Sequence, residues 1–374
     1  MANAALMKKS NRLSILRAVR EGDISRAELA RRTGLTRAAV TLLVDGLIGE
    51  GLLAEGVAVR SDKGRRPTML SLGDGGGLAI GIDLSREGVC LAVCDLKMRV
   101  LCEISFDRDL TREQILSQIK DAIDTDLGGR RILGVGFVAP GPVDTEKMKI
   151  LEPTGLEKWH GFEVGSLCDR IQLPVFLERD TRALAIAEAG LNPRRQSFIS
   201  LLADHGLGGA FVYGGRIFGS QEGFGCEIGH VSIDPSGEVC SCGSRGCAEL
   251  YASIPAIMRR SAGCGLDCSD FGELAEAASN DPRAAALLSE MADKLASALL
   301  CAVNLLEPCE IVLSGRLAEA AHVLKEPIEK RLKNEAFTSA GRGVRVCASA
   351  LGSSSRALAA AGVVIQKYFD GEII

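Results

Sequence analysis

Apolar residues in the first thirty-four positions recur at the spacing of amphipathic helices. In NRLSILRAVR, the side chains of Leu13, Leu16 and Val19 fall on one face of a helix. A second helix begins in SRAELARRTG, where Ser25 suits the N-cap and Glu28, three residues on, suits a capping box. The pattern therefore predicts two helices separated by a short polar turn.

A third helix and a pair of strands follow a tight glycine turn. Gly34 ends the second helix, and Thr36 suits the N-cap of the third. The apolar face of the third helix is predicted to be Val40, Leu43, Val44 and Leu47. The stretch LLAEGVAVRSDKGRRPTMLSL predicts two short strands around the turn-prone SDKGRRP. Two helices joined by a tight turn and followed by a hairpin predict a winged helix-turn-helix.

From Leu78 onwards, short apolar runs alternate with helical stretches. LAIGIDL, VCLAVCDL, RVLCEISF, ILGVGFVAPGPVD and LPVFLERD are predicted strands, whereas TREQILSQIKDAIDT and ADKLASALLCAVNLL have helical periodicity. This alternation is typical of the α/β class. Glycine-marked hairpins occur near residue 81 and again near residue 206, which indicates two similar lobes facing a small-ligand cleft.

The composition narrows the function classes. The 374 residues are enough for two or three domains, and an aromatic content of 4% argues against a base-stacking nucleic-acid platform. The N-terminus carries charges too closely spaced for a signal peptide, and no apolar run reaches the roughly 18–20 residues of a membrane span. We therefore expect a cytoplasmic protein with no membrane partner. Most of the 13 cysteines are then expected to be free thiols in apolar surroundings.

Charge is divided unevenly along the chain. Residues 1–72 contain thirteen Lys and Arg against seven Asp and Glu, a net charge of +6. Because the whole chain has a net charge of −4, the remaining 302 residues carry −10. A basic head on an acidic body predicts a polyanionic partner for the head alone, namely double-stranded DNA. A helical dimerisation module is the alternative, but it does not account for the basic residues Arg31, Arg32, Arg37, Arg60, Lys63, Arg65 and Arg66.

Two parts of the head are candidates for contact with DNA. The candidate residues are Thr36, Arg37, Ala38, Thr41, Arg65 and Arg66. Arg37, Ala38 and Thr41 lie at the solvent-facing start of the third helix, where base edges would be read. Thr36 itself is better placed to contact a phosphate. The two arginines of the hairpin tip would lie along the backbone or in the minor groove and add affinity with little sequence information.

The stretch CSCGSRGCAEL concentrates three thiols within eight residues. With the histidine ten residues upstream, they supply one imidazole and three thiolates, which suit a closed, four-coordinate structural Zn²⁺ site. The predicted ligands are His230, Cys240, Cys242 and Cys247. Gly243 and Gly246 would let the chain turn sharply between the last two ligands. The alternative is three unrelated buried cysteines, which the charged Arg245 and Glu249 nearby disfavour.

Four stretches of the body resemble the ROK family of sugar kinases and repressors, in particular its branch with an N-terminal winged helix. They are GVGFVAPGPVD (134–144), LPVFLERDTRALAIAEA (173–189), GCEIGHVSIDPSGEVCSCGSRGCAELYAS (225–253) and NLLEPCEIVLSG (304–315). The resemblance implies a winged helix-turn-helix domain at 1–75 and a two-lobed actin/hexokinase-like (ribonuclease H-like) body at 76–374. It also implies that the same four residues hold zinc in a loop at 230–247.

The resemblance implies a carbohydrate ligand as well. In the family, the positions that match Glu227, His230 and Glu249 contact sugar hydroxyls. The position that matches Asp180 holds the general base of the kinases, so Asp180 would be a vestigial base here. The family motif E-N-D reads E-R-D in this chain, which places a guanidinium where an amide is usual. Arg179 either binds an anionic group of the ligand or turns outward and pairs with the preceding glutamate.

The resemblance to the kinases fails at the phosphate-binding loops. The family loop D-x-G-G-T-K is DLSREG at 83–88, and the second loop G-T-G-x-G-G is DHGLGG at 204–209. The adenosine-side glycine pair has become SGR at 314–316. Glycines that allow close backbone approach to phosphate are lost and carboxylates are added. We therefore expect a protein that does not bind ATP and is not an enzyme.

The head and the body together predict a sugar-responsive transcriptional regulator that acts as a repressor. Because a helix-turn-helix normally reads two half-sites, a homodimer or tetramer is expected. Two alternatives stay open from the sequence. One is a carbohydrate kinase that gained a DNA-binding head and kept its ATP-dependent activity. The other is a regulator that senses a protein partner instead of a sugar.

Overall fold

A computed structural model describes residues 2–56, 68–127, 129–153, 155–219, 225–352 and 355–373. The chain folds into two compact units. The first comprises Met1–Arg179, Gly190–Arg194 and Ala357–Ile374, and the second comprises Asp180–Ala189 and Arg195–Arg356. The first unit therefore contains the basic head and one lobe of the body, and the second contains the other lobe.

The head consists of three helices and three short strands. They are α1 (Ala2–Arg20), β1 (Ile24–Ser25), α2 (Arg26–Thr33), α3 (Arg37–Gly49), β2 (Leu53–Glu55) and β3 (Met69–Leu72). The strands form an antiparallel sheet in the order β1-β3-β2. The predicted hairpin strands are confirmed as β2 and β3, whereas residues 57–67 lie outside the described residues. The order of elements is that of a winged helix-turn-helix, as predicted.

The turn between α2 and α3 follows its sequence signals with one exception. Gly34 adopts a left-handed conformation with φ of 70°, which ends α2. Ser25 Oγ accepts a hydrogen bond from the Glu28 amide at 3.2 Å, as predicted. The capping box is wrong in its second half, because the Glu28 carboxylate accepts hydrogen bonds from Arg31 and Arg32. Charge-assisted bonds to two guanidinium groups are stronger than a bond to one backbone amide.

The core of the head buries one face of each helix. Its fully or almost fully buried apolar residues include Ile15, Leu16, Val19, Leu29, Val40, Val44, Leu47 and Leu70. Each such side chain contributes roughly 1.5–3 kcal/mol by leaving water. Because α3 turns its apolar face inward, its opposite face is left for solvent or a partner.

The glycine-rich segment after β3 is closely packed. A Cβ atom at Gly73 would lie 2.2 Å from the carbonyl oxygen of Gly51. The carboxylate of Asp74 accepts hydrogen bonds from Lys97 at 2.9 Å and from Arg99 at 2.6 Å. Glycine is needed at position 73 because its backbone approaches that of Gly51 closely. The bonds of Asp74 to Lys97 and Arg99 hold the segment as well.

The lobe in the first unit is built on a five-stranded sheet. Its elements up to residue 179 are β4 (Leu78–Leu84), β5 (Val89–Asp95), β6 (Val100–Phe106), α4 (Arg112–Asp126), β7 (Ile132–Ala139), β8 (Val143–Asp144), β9 (Lys149–Ile150), α5 (Cys168–Ile171) and β10 (Val175–Arg179). The strand order is β10-β7-β4-β5-β6. Strands β10, β7 and β4 run parallel, whereas β4, β5 and β6 form an antiparallel meander. Every residue of β4 is buried, as expected of a central strand.

The second unit contains another five-stranded sheet and most of the remaining helices. The elements from residue 180 are α6 (Asp180–Leu191), β11 (Ser197–Ala203), β12 (Leu207–Tyr213), β13 (Arg216–Ile217), α7 (Glu249–Ala252), α8 (Ile254–Gly263), α9 (Phe271–Ala277), α10 (Pro282–Leu306), β14 (Glu310–Ser314), α11 (Arg316–Glu319), α12 (Ala321–Glu335), α13 (Ser339–Arg342), β15 (Arg345–Ala348) and α14 (Ser355–Asp370). The strand order is β13-β12-β11-β14-β15. Helix α14 belongs to the first unit from Ala357 onwards.

The two sheets share one topology. In each, three consecutive strands form an antiparallel meander, β4-β5-β6 in the first and β11-β12-β13 in the second. Two later strands then add in parallel on the other side of the first strand of the meander. This repetition confirms the predicted α/β body with two similar lobes of ribonuclease H-like type.

Helix α14 lies directly on the sheet of the first unit. A Cβ atom at Gly81 of β4 would lie 1.9 Å from the carbonyl oxygen of Ala357. A Cβ atom at Gly136 of β7 would lie 2.1 Å from the carbonyl oxygen of Ala360. The two glycines therefore let the helix backbone contact the sheet with no side chain between them.

Helix α10 supplies much of the core of the second unit. Leu288, Met291, Leu295 and Leu299 recur at helical spacing and are buried. This face of α10 therefore packs in the core of the second unit. None of the helices in the described ranges is both long and apolar enough to cross a membrane.

Candidate functional site

The start of α3 presents the predicted DNA-contacting residues to solvent. Thr36 caps the helix, because its Oγ1 accepts a hydrogen bond from the Ala39 amide at 3.2 Å. Arg37, Ala38 and Thr41 are all exposed. The four residues thus lie together at the N-terminal end of one exposed helix face, where the helix dipole also favours an anion.

Two basic residues of the head are engaged within the head. The Arg31 guanidinium binds the carboxylate of Glu28 at 2.8 Å, and Arg32 binds Glu21 at 2.9 Å. Their charge is therefore largely balanced inside the domain, which the sequence count did not reveal. The predicted hairpin residues Arg65 and Arg66, like Arg60 and Lys63, lie outside the described residues.

Other basic residues of α1 bind the C-terminal segment. Arg17 Nε donates to the carbonyl oxygen of Phe369 at 2.8 Å, and Lys9 Nζ donates to that of Gly371 at 2.9 Å. The guanidinium of Arg20 lies 4.4 Å from the centre of the Phe369 ring and donates to Gln366 Oε1 at 2.9 Å. Burial lowers the pKa of Arg20 to about 10. These hydrogen bonds and the cation–π contact connect α1 of the head to the C-terminal segment of the same unit.

The predicted zinc ligands converge in the second unit. Their ligand atoms all lie within 4.8 Å of one another. The Sγ atoms of Cys242 and Cys247 are 3.7 Å apart, and His230 Nδ1 lies 3.6 Å from Cys240 Sγ. Two sulfurs bound to one tetrahedral zinc would be about 3.8 Å apart, and a nitrogen and a sulfur about 3.6 Å. The four residues can therefore hold one metal ion.

The loop backbone brings these ligands together. Gly243 and Gly246, which were predicted to let the chain turn sharply, both adopt positive φ, at 90° and 63°. A Cβ atom at Gly246 would lie 1.7 Å from the carbonyl oxygen of Asp234, so only glycine fits there. Although burial opposes ionisation, hydrogen bonds from Cys242 and His230 lower the pKa of Cys240 to about 7. The thiolate, which is the metal-binding form, is then accessible near neutral pH.

The predicted sugar-binding residues of the second unit lie near the zinc loop and at the start of α6. Asp180 is the first residue of α6; it is 7% exposed, and its Oδ1 accepts from the Thr181 amide at 2.7 Å. Glu227 directly precedes the short 3₁₀ helix Ile228–His230. Glu249 begins α7, two residues after the last cysteine ligand.

Arg179 ends β10 in the first unit. Its backbone amide donates to the Glu178 carboxylate at 3.0 Å. Its guanidinium packs against a turn of the same unit, because a Cβ atom at Gly141 would lie 3.0 Å from Arg179 Nε. Glu178 thus binds the main chain of Arg179, and the guanidinium is directed towards the Gly141 turn.

Backbone amides in both turns that match the phosphate loops of the kinases donate hydrogen bonds to other groups of the protein. In the first unit, the Ser85 amide donates to the Gly88 carbonyl at 3.0 Å, and the Gly88 amide donates back at 3.4 Å. In the second unit, the Leu207 amide donates to Glu249 at 3.0 Å. The amides of Ser85, Gly88 and Leu207 are therefore already hydrogen-bonded within their own units.

One further ion pair in the second unit was not apparent from the sequence. Arg356 Nη1 lies 2.6 Å from a carboxylate oxygen of Asp204, the first residue of the DHGLGG turn. The two residues are 152 positions apart, so no local pattern could have linked them. Their pairing places a protein cation at the start of this turn.

Comparisons with known proteins cover nearly the whole chain. The xylose repressor of Bacillus spizizenii is 26% identical over 382 aligned positions, which span 99% of this chain and 98% of that protein. The DNA-binding transcriptional dual regulator NagC of Escherichia coli is 28% identical over 397 positions, spanning 100% of this chain and 97% of the regulator.

Two solved structures differ in how much of this chain they cover. A ROK family transcriptional regulator described as a homologue of the E. coli MLC protein aligns over 98% of this chain with a TM-score of 0.81 and 24% identity, and 97% of that chain is covered. A ROK family glucokinase from Streptomyces griseus, in complex with glucose and AMPPNP, aligns over 78% of this chain and 100% of its own, with a TM-score of 0.67 and 26% identity. About a fifth of this chain thus has no counterpart in the kinase.

The sequence profile of the ROK family matches residues 79–367, which include both five-stranded sheets and the Cys–His cluster. This match spans well over half of the chain and agrees with the resemblance found in four sequence stretches. The protein therefore belongs to the ROK family.

Proposed function

We propose that the protein is a sugar-responsive DNA-binding transcriptional regulator that acts as a repressor. The observation that carries the proposal is the presence of a winged helix-turn-helix with an exposed α3 face on the same chain as a ROK body. Full-length relatives named xylose repressor and NagC support it. Because a regulator of this kind acts on chromosomal DNA, we also propose a cytoplasmic location.

The head would bind double-stranded DNA through α3 in the major groove. Arg37, Ala38 and Thr41 would face base edges, and Thr36 would contact a phosphate next to the helix N-terminus. Arg65 and Arg66 would contact the DNA backbone or the minor groove. Since one head reads one half-site, a homodimer or tetramer would present two heads at a fixed spacing.

The body would bind a carbohydrate through carboxylate and imidazole groups. Sugar hydroxyls would donate hydrogen bonds to the carboxylates of Asp180, Glu227 and Glu249. The His230 ring would form a further hydrogen bond with a hydroxyl. Arg179 would add a contact to an anionic group, such as the carboxylate of a sugar acid or a sugar phosphate. Calorimetry with neutral hexoses and with acidic sugars tests this point, because binding of neutral hexoses alone would exclude the anionic ligand.

The metal would be a structural zinc ion held by His230, Cys240, Cys242 and Cys247. Four protein ligands leave no open position for a substrate or a water molecule, so the ion would stabilise the loop and orient its neighbours. His230 Nδ1 faces Cys240, so its Nε2 would remain available to a sugar hydroxyl.

We further propose that the protein is not a kinase. Phosphoryl transfer depends on positioning and on charge neutralisation around the phosphates. In this chain, Ser85 and Gly88 hydrogen-bond to each other across the first turn. In the second turn, the Leu207 amide donates to the Glu249 carboxylate, and the Asp204 carboxylate forms an ion pair with Arg356. Asp180 would then be a vestigial general base, because no ATP would be bound to donate a phosphoryl group.

Sugar binding can regulate DNA binding only if the sugar prefers one conformation of the protein over another. The preferred conformation would hold the two heads of the oligomer at a spacing that suits the operator, or at one that does not. A sugar that bound both conformations equally would have no regulatory effect.

The proposal is tested by mapping the DNA that the full-length protein binds across its genome. We expect discrete sites beside genes for carbohydrate uptake or metabolism, and loss of those sites in an Arg37→Ala variant. Arg259→Ala is the matched control, because Arg259 is an exposed arginine on α8 in the second unit. A map without discrete sites would contradict the proposal.

An ATP-consumption assay with a panel of sugars separates the regulator from an active kinase. Turnover at ordinary enzymatic rates of about 1–100 per second would establish the kinase instead. If no sugar binds in calorimetry, a pull-down with the full chain tests the remaining alternative, a regulator that senses a protein partner.

A further inference from the structure

The exposed face of α3 carries a large apolar side chain at its centre. Leu42 is 76% exposed, among the most exposed large apolar residues in the described part of the chain. Ala38, Thr41 and Asp45, which lie four, one and three residues away, are exposed on the same side of the helix. Leu42 therefore lies outside the core of the head, although Val44, two residues further on, is fully buried.

The two neighbours of Leu42 also present methyl groups. Ala38 has only a methyl group to offer. Thr41 Oγ1 donates a hydrogen bond to the carbonyl oxygen of Arg37 at 3.0 Å, so its hydroxyl proton is already used within the helix. We call Ala38, Thr41 and Leu42 the methyl strip. The strip contains no free hydrogen-bond donor.

Charges at the two ends of the methyl strip fit a DNA surface. Arg37 is exposed at the N-terminal end. At the other end, the Asp45 carboxylate is bound by Arg26 at 2.8 Å, and the same guanidinium binds Glu55 at 2.6 Å. Arg26 thereby reduces the net charge of these two carboxylates from −2 to −1 and so weakens their repulsion of phosphates beside the strip.

Among the base edges in the major groove, thymine offers a C5 methyl group that apolar side chains can contact. We propose that Leu42, flanked by Ala38 and Thr41, reads thymine methyl groups in each half-site of the operator. The inference rests on the proposed DNA-binding function and adds the base that the recognition helix selects. An apolar protein partner is disfavoured, because the strip lies on the basic head of an otherwise acidic chain.

Deoxyuridine provides a direct probe, because it differs from thymidine only by the C5 methyl group. An operator duplex is first selected from a random library with the full-length protein. Each thymine is then replaced in turn by deoxyuridine, and binding is measured by fluorescence anisotropy at fixed salt. We expect one or two replacements in each half-site to weaken binding about fourfold, the effect of one buried methyl group.

A variant shows which side chain contacts the methyl group. Leu42→Ala is expected to weaken binding to the thymine duplex roughly 3- to 10-fold and to show no further loss on the sensitive deoxyuridine duplex. The matched control is Leu305→Ala, since Leu305 is 80% exposed in the second unit and should leave binding unchanged. The deoxyuridine series uses wild-type protein, so its result does not depend on how well the variant folds.

The outcomes are distinct. If wild-type protein selects and binds a duplex but tolerates every deoxyuridine, the thymine assignment is wrong and DNA binding stands. If Leu42→Ala loses the same factor on thymine and deoxyuridine duplexes, or changes the oligomeric state, Leu42 does not contact the methyl group. If no duplex is selected at all, the proposed function fails and this inference fails with it.

Discussion

Replacing Cys247 by serine tests whether a metal ion holds the loop at 230–247. The Cys247 side chain is fully buried, and its sulfur lies 3.7 Å from Cys242 Sγ. Serine keeps the side chain close to the size of cysteine, but its hydroxyl does not replace a thiolate as a zinc ligand. The substitution therefore removes one ligand with little change in packing.

The expected magnitude follows from the structure of the loop. Between His230 and Cys247, the buried residues are Cys240 and Gly246, so the loop has almost no apolar core of its own. Structural zinc contributes about 10–16 kcal/mol in small zinc domains, or roughly 2.5–4 kcal/mol for each of four ligands. Loss of one thiolate should weaken zinc binding about 10²- to 10³-fold. The loop should then unfold locally while the rest of the second unit remains folded.

Two measurements follow this change. Elemental analysis should give one zinc ion per wild-type chain and a small fraction of that in Cys247→Ser. Hydrogen exchange should show loss of protection confined to the loop and to the adjacent Glu227 and Glu249. The matched control is Cys301→Ser, because Cys301 is an exposed thiol on α10 and far from the cluster in sequence. Wild-type protein that is purified without chelator and contains no metal, yet has a fully protected loop, would refute the reasoning.

Four further predictions concern the rest of the chain. Gly136→Ala places a Cβ atom 2.1 Å from the Ala360 carbonyl oxygen and should lower the free energy of unfolding by about 1–3 kcal/mol in urea titrations, whereas Gly46→Ala, with no atom within 4 Å, should not. Phe369→Leu removes the ring beneath the Arg20 guanidinium and should cost about 0.5–2 kcal/mol, measured by thermal unfolding; no change would mean that the contact does not hold α1. Burial raises the pKa of Cys94 to about 12, so at pH 8 its thiolate fraction is about 10⁻⁴ and iodoacetamide, followed by mass spectrometry, should modify it far more slowly than the exposed Cys102. Hydrogen bonds from Lys97 and then Arg99 lower the pKa of Asp74, so the contact of Asp74 with these two side chains should persist as the pH falls to the ordinary aspartate value of about 3.9 and be lost only below it; loss of amide protection at Gly75 to Gly77 already between about pH 5 and pH 4 would contradict this.

The elements of the fold follow largely from local sequence patterns. Helical spacing and caps located α1 to α3, because Ser25, Gly34 and Thr36 each act within one turn of their own position. The glycine-marked hairpins located both meanders, since a tight turn and its flanking strands are local features. The Cys–His cluster was predictable for the same reason, because its four residues span only eighteen positions.

Contacts between distant segments could not be predicted in this way. Arg17 and Arg20 count as basic residues of the head, yet they bind Phe369 and Gln366 at the other end of the chain. The Asp204–Arg356 pair joins residues 152 positions apart. Leu42 was overlooked because an apolar residue in an apolar helix pattern is expected in the core, and only its position relative to Val40 and Val44 places it outside.

The central claim is that occupancy of a carbohydrate site in the body changes the affinity of the head for DNA. Fluorescence anisotropy with a selected operator duplex, repeated with and without a sugar that binds in calorimetry, measures this directly. We predict a change of about 5- to 150-fold in operator affinity, and an equal change in sugar affinity when operator is present, because coupling between two sites is reciprocal. A sugar that saturates the protein and leaves the operator affinity unchanged would contradict the account.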